Sequence, residues 1–278
     1  MSTQQQKARR FLELHVPGSP LLLPNPWDEG SARLLASRGF EALATTSSGH
    51  AMSLGRPDGA VSRDEALEHA RRIVAATPLP VSADLERGFA DDPGGVAETV
   101  DLAGAAGLAG CSIEDFTGAA ADPIYGTGLA TERIAAAAEA AHRGQARLVL
   151  TARAENYLHG RPDLGDTIAR LQAFQEAGAD VLYAPGLTVL TDIRQVVTSV
   201  DRPVNVLLLP GGPSVPELAA AGVSRVSVGG SFAYGMLAAL AEAADELRGS
   251  GPYTFLERAG AGRALASGAF SGAGQRSG

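Results

Sequence analysis

The chain has 278 residues, 45% of them hydrophobic, and a formal net charge of −8 without any basic run. That length and apolar content suit one α/β barrel of about 250 residues better than two ordinary domains. The acidic balance argues against nucleic acid and anionic membrane as partners, and no stretch approaches about 18 uninterrupted apolar residues.

An amphipathic run over 5–14 predicts a leading helix. It holds Lys7, the only lysine among the 23 basic residues, and it precedes the first strand. Schiff-base and pyridoxal phosphate chemistry need a lysine inside the site, so both are excluded. The opening MSTQQQKARRFLEL lacks the apolar core of a secretion signal, and the lone Cys111 allows no internal disulfide. A cytoplasmic location is expected.

Beyond this helix, short β-prone runs alternate with stretches of helical period. Strands are expected over 21–23, 42–46, 81–84, 110–114, 149–153, 181–184, 203–207 and 225–228. Between and after them, helices are expected over 28–37, 63–75, 95–106, 131–142, 165–177, 190–199, 215–221 and 231–247. Ser62 before Arg63-Asp64-Glu65 and Ser214 before Val215-Pro216-Glu217 read as helix caps, while Gly39, Gly107, Gly178 and Gly222 mark helix ends. The pattern predicts a (β/α)8 TIM-type barrel over residues 1–248, with an extra N-terminal helix. A C-terminal extension follows over 249–278: a short piece through Phe255 and Leu265, then a disordered SGAGQRSG.

Asp58, Asp84, Glu86, Glu114 and Asp115 each fall at or just after an expected strand end, and Arg153 ends the next strand. In a barrel such tips gather on one face. Carboxylates packed together repel unless a divalent cation lies between them, and magnesium takes about six oxygens. Asp84 is the expected direct ligand, with Glu86 and Glu114 holding coordinated waters. The competing reading makes these acids ordinary caps of helices. Side chains alternate along Cys-Ser-Ile-Glu-Asp, so Ser112 and Glu114 face inward while Cys111 packs outward as a small hydrophobe. Arg153 offers a planar fork for a carboxylate or a developing oxyanion, unless it merely pairs with Glu155 or Glu114. Backbone N–H groups at Ser47, Ser48 and Gly49 are candidates for a substrate oxygen.

The segment 116–131 is long for a strand-to-helix loop and reads as a mobile lid. Its titratable side chains near the centre, Asp122 and Tyr125, are candidate acid or base. His50 and His159 follow strand tips but resemble plain loop residues. Gly229 and Gly230 fit either an anion site at a helix start or a tight turn.

Five runs then carry a resemblance: NPWDEGSARLLASRGFEALATTSSGHAMSLGRPDG, SADLERGF, GCSIEDF, TARAEN and VSRVSVGGSF. In this order, across roughly residues 10–245, they resemble the isocitrate lyase/phosphoenolpyruvate mutase superfamily. The resemblance implies a barrel, Mg2+ (or Mn2+), a small 2-oxo or 2-hydroxy carboxylate substrate, and a homo-oligomer, dimer or tetramer. By it, Asp84, Glu86 and Glu114 match the magnesium shell, and Asp58 an acid near the reacting atoms. Arg153 matches a substrate-binding arginine, and Thr46, Ser47 and Ser48 a substrate-gripping loop. The lid FTGAAADPIYGTG departs from the family by lacking cysteine, lysine and histidine, which weighs against isocitrate or methylisocitrate cleavage. It also lacks the lysine and asparagine of the phosphorus–carbon enzymes. The expected activity is a carbon–carbon lyase of oxaloacetate-decarboxylase type. Phosphorus–carbon chemistry on phosphonopyruvate and a non-catalytic keto-acid-binding barrel are the alternatives.

Overall fold

Each apolar run finds a parallel neighbour in the computed structural model, which describes residues 2–249 and 253–271. The strands are β1 (Leu21–Leu23), β2 (Leu43–Ala44), β3 (Val81–Asp84), β4 (Gly110–Glu114), β5 (Val149–Arg153), β6 (Val181–Tyr183), β7 (Val204–Leu207) and β8 (Arg225–Ser227). Their order is β1-β8-β7-β6-β5-β4-β3-β2, the cycle of a (β/α)8 barrel. Outside the barrel run α1 (Gln4–Glu13), α2 (Glu29–Ser37), α3 (Ser47–Ser53), α4 (Arg63–Ala76), α5 (Pro93–Ala105), α6 (Thr127–Arg143), α7 (Leu164–Glu176), α8 (Leu190–Ser199), α9 (Val215–Ala220), α10 (Ser231–Arg248) and α11 (Phe255–Phe270). No helix among the described residues is long and apolar enough to cross a membrane.

The expected caps form. Ser62 and Glu65 make a reciprocal capping box on α4, and Ser214 and Glu217 do the same on α9. Gly39, Gly107, Gly178 and Gly222 all take positive φ after their helices.

β1 and β2 form no ladder, so the seam is sewn otherwise. The Ala44 N–H donates to Pro24 O at 3.1 Å. Asn25 completes the closure: its Nδ2 donates to Ala44 O and Thr45 O, and its Oδ1 accepts from the Val228 and Gly229 N–H groups. The side-chain stitch also explains why β2 is shorter than the expected 42–46.

Outward strand residues such as Cys111, Ile113, Leu150 and Ala152 pack under the helices, as parity requires. Inside the barrel, α1 plugs the N-terminal end. Phe11 is fully buried there among Leu21, Ala109, Val149 and Val181, a burial that stabilises by about 2 kcal/mol. Gly110 makes room for the plug, since a Cβ there would lie 2.6 Å from Val149 O and 3.0 Å from Phe11.

Three elements differ from expectation. α3 replaces an expected loop, with Thr46 Oγ1 accepting from the Gly49 N–H at its start. α6 begins at Thr127 rather than 131; Thr131 is an interior residue whose hydroxyl donates to Thr127 O. The short C-terminal piece is in fact the 16-residue α11, its start held by Glu246 accepting from the Phe255 N–H, and it packs along α2. The expectation of disorder over SGAGQRSG lies, from residue 272 on, outside the described residues.

Candidate active site

The register of β3, β4 and β5 decides which side chains meet. Asp84 pairs with Ser112, and Glu114 with Arg153, so acids and arginine rise together at the C-terminal rim. Arg153 is the hub. Its Nη1 donates to Asp84 Oδ1 at 2.8 Å, its Nε to Glu155 Oε1 at 2.8 Å, and its Nη2 lies 3.2 Å from Glu114 Oε2. Burial opposes the guanidinium charge, but Glu155, Glu114 and Asp84 outweigh it and hold Arg153 above the usual arginine range. Arg153 thus pairs with Glu155 and Glu114, and with Asp84 as well. One N–H on each Nη stays free of them.

Beyond Arg153, negative charge is in surplus. Asp58 and Glu86 have no ion pair among the described residues. Burial, then the Asp84 and Asp58 charges, raise the Glu86 carboxyl to about 7. Burial followed by Asp84 raises Asp58 as well. Glu114 is pushed well up, chiefly by burial. The backbone at Glu86 is also unusual: φ of 48° is a left-handed conformation uncommon for a non-glycine residue. Its N–H reaches Asp84 Oδ1 at 3.2 Å.

A cavity of about 190 Å³ opens at this rim, lined by Thr46, Ser47, Ser48, Asp58, Asp84 and Arg153 among others. Glu86 sits in an adjoining recess with Asp84, His50 and His69, and Glu114 lies behind Arg153. No three acidic, histidine or cysteine side chains converge as a ready-made metal cage among the described residues. Magnesium does not require one, because one or two carboxylates, waters and substrate oxygens complete its shell. Asp84 accepts three hydrogen bonds, from Ser47 N, Glu86 N and Arg153, of the roughly four a carboxylate takes. An all-oxygen donor set in surplus negative charge fits a hard cation.

Several expected site residues stand elsewhere. The Ser47 N–H is spent on Asp84 Oδ2 at 3.1 Å and the Gly49 N–H on Thr46, so neither is free for a substrate oxygen. Asp115 turns away from the rim, accepting from Glu155 N and pairing with Arg170 at 3.1 Å. Asp122 pairs on the surface with Arg161, and the Tyr125 hydroxyl donates to Asp91 while its ring packs under Arg133. Neither lid residue lines the cavity. The lid itself folds back through a Phe116–Ile124 bridge. His50 stacks on His69 at 3.7 Å and His159 on Phe116 at 3.8 Å. The Gly229 N–H is taken by Asn25, which supports the tight turn.

Sequence reasoning missed Asn25, Tyr183 and Arg225, which line the same cavity. The signal was present for Arg225, an arginine opening an otherwise apolar buried strand.

Acids and an arginine converging at the C-terminal rim of a parallel barrel define a barrel enzyme. More narrowly, the chain belongs to the phosphoenolpyruvate phosphomutase family, whose model matches residues 11–248, within the isocitrate lyase/PEP mutase superfamily. A solved Burkholderia cenocepacia protein, provisionally described as a lyase/mutase, is 55% identical, with TM-score 0.88 over 91% of this chain and 92% of that one. The 2-methylisocitrate lyase of Escherichia coli is 31% identical over 69% of this chain and 70% of its own. A solved 2,3-dimethylmalate lyase is 30% identical, with TM-score 0.80 over 89% and 88% of the two chains. The chain is thus an enzyme of a superfamily of lyases and mutases.

Proposed function

We propose that this enzyme is a magnesium-dependent lyase that breaks a carbon–carbon bond of a small 2-oxo or 2-hydroxy dicarboxylic acid. Decarboxylation of the oxaloacetate type or retro-aldol cleavage both fit. The observation that carries the reading is the excess of carboxylates at the rim, half-buried Asp84 and Glu86 with exposed Asp58, beside an arginine already shared by three acids. Relatives named as 2-methylisocitrate and 2,3-dimethylmalate lyases support the reaction class.

Asp84 would hold the cation directly, with Glu86 and Glu114 holding its waters, and manganese would suit the same oxygens. Bound there, the ion would supply Lewis-acid polarisation of the substrate's 2-oxygen and neighbouring carboxylate. Arg153, fixed by its three carboxylates, presents its remaining Nη N–H pair to the substrate and steadies charge that develops as the bond to C3 breaks. Thr46, Ser47 and Ser48 line the same cavity and would orient the acid. Asp58 lines the same cavity and would return a proton to C3. The apolar side chains that α10 exposes, Phe232, Tyr234, Met236 and Leu240, support a homo-oligomer, which light scattering tests.

Oxaloacetate and substituted malates are expected to turn over only with magnesium or manganese, and Asp84→Ala to abolish turnover. A panel of such acids left unchanged with either metal would contradict the reading. The family model's own description favours one alternative, phosphorus–carbon chemistry. Phosphorus NMR on phosphonopyruvate separates the two.

A further inference from the structure

The cavity continues below the rim, and its floor carries a charge of the opposite sign. Arg225 opens β8 pointing inward and is only 4% exposed. Its Nε donates to Asn205 Oδ1 at 3.0 Å, and its Nη1 reaches Thr151 Oγ1 at 3.1 Å and His15 Nε2 at 3.2 Å. All three partners are neutral. His15 holds its Nδ1 against Phe11 O at 2.8 Å, leaving Nε2 as an acceptor. Among the described residues Arg225 has no carboxylate within 4.0 Å, and its Nη2 has no hydrogen-bond partner.

A buried cation without a counter-ion is costly and calls for an anion. The two Nη2 N–H groups are not among the sealed, partnerless polar atoms, and Arg225 lines the cavity, so they open into it. Asn205, Ser227 and Tyr183 line the same cavity. Thr151, which Arg225 touches, stands two residues below Arg153 on β5, roughly 7 Å of strand. Two carboxylates of one small acid can span that separation.

We propose that Arg225 binds the second carboxylate of the substrate, the one not held at the rim, and so selects diacids over monoacids. This rests on the rim being the acid-binding centre argued above. Substrate thus enters with its 2-oxo end at Asp84 and Arg153 and its far carboxylate pointing down the barrel.

Calorimetry with magnesium present tests this with two probes. Oxalate places both carboxylates at the rim; 3,3-difluorooxaloacetate adds a far carboxylate. Arg225→Met should weaken difluorooxaloacetate about 10- to 100-fold, the value of a charge-assisted hydrogen bond, and leave oxalate within about twofold. Arg225→Lys, which keeps the charge, should recover part of the loss. Unfolding of the Met variant would move the comparison to Lys, where difluorooxaloacetate should still weaken more than oxalate. Equal loss for both probes, or none, overturns the assignment of Arg225 alone. If the wild type binds neither acid, the rim reading falls and this inference with it.

Discussion

The two ends of the cavity differ in sign. At the rim, Arg153 meets Asp84, Glu114 and Glu155, and Asp58 and Glu86 stand beyond it without an ion pair among the described residues. On the floor, Arg225 is held by His15, Thr151 and Asn205, with no carboxylate within 4.0 Å among the described residues. Each end alone is electrostatically unfinished, since buried charge demands a partner. The rim lacks positive charge and the floor lacks negative charge. On the proposed reading, a cation carrying a chelated diacid would supply both and offset two imbalances that would each be costly in a sealed core.

Breaking the rim should have the largest effect. Arg153→Lys keeps the charge but loses the planar fork that Asp84, Glu114 and Glu155 hold, so kcat/KM on the productive acid should fall about 100-fold while circular dichroism stays unchanged. A loss of less than about threefold would mean that the fork does not face substrate.

The seam above both ends comes next. Asn25→Ala strands the Val228 and Gly229 N–H groups and removes the side-chain part of the β1–β2 seam, costing about 1–3 kcal/mol in urea unfolding. An unchanged midpoint would show that other contacts close the barrel.

The smallest effect concerns the floor and pH. His15 is held near 3 in the folded chain, chiefly by burial and then by Arg225, against an ordinary 6.5. Between these values the unfolded chain binds a proton there that the folded chain does not, so this group removes stability as pH falls from 6.5 towards 3. Each pH unit in that window costs at most about 1.4 kcal/mol. His15→Gln has nothing to protonate, so the stability gap between wild type and variant should shift in the variant's favour as pH drops. A gap independent of pH would mean that His15 is not buried neutral against Arg225.

How much was legible in the sequence depends on how local each contact is. β3, β4 and β5 are found at the expected residues because each strand's alternation and its own tip residue, Asp84, Glu114 or Arg153, lie within a few positions of each other. α3 escaped because SSGHAMS shows no apolar period and contains glycine. α11 escaped similarly, its glycines and alanines presenting no clear apolar face. Asp122 and Tyr125 drew attention as titratable groups in the lid, but their partners Arg161 and Asp91 come from neighbouring loops and draw them aside. Arg225 is the extreme case, with His15 lying 210 positions away in sequence. Only the closed barrel brings the two together.

The most direct test is a crystal structure with manganese and oxalate, read by the anomalous signal of the metal. Manganese is expected beside Asp84, with oxalate between it and the free N–H pair of Arg153. Metal or oxalate bound away from the strand tips, or oxalate seated at the rim with no metal beside Asp84, would contradict a cation-centred site.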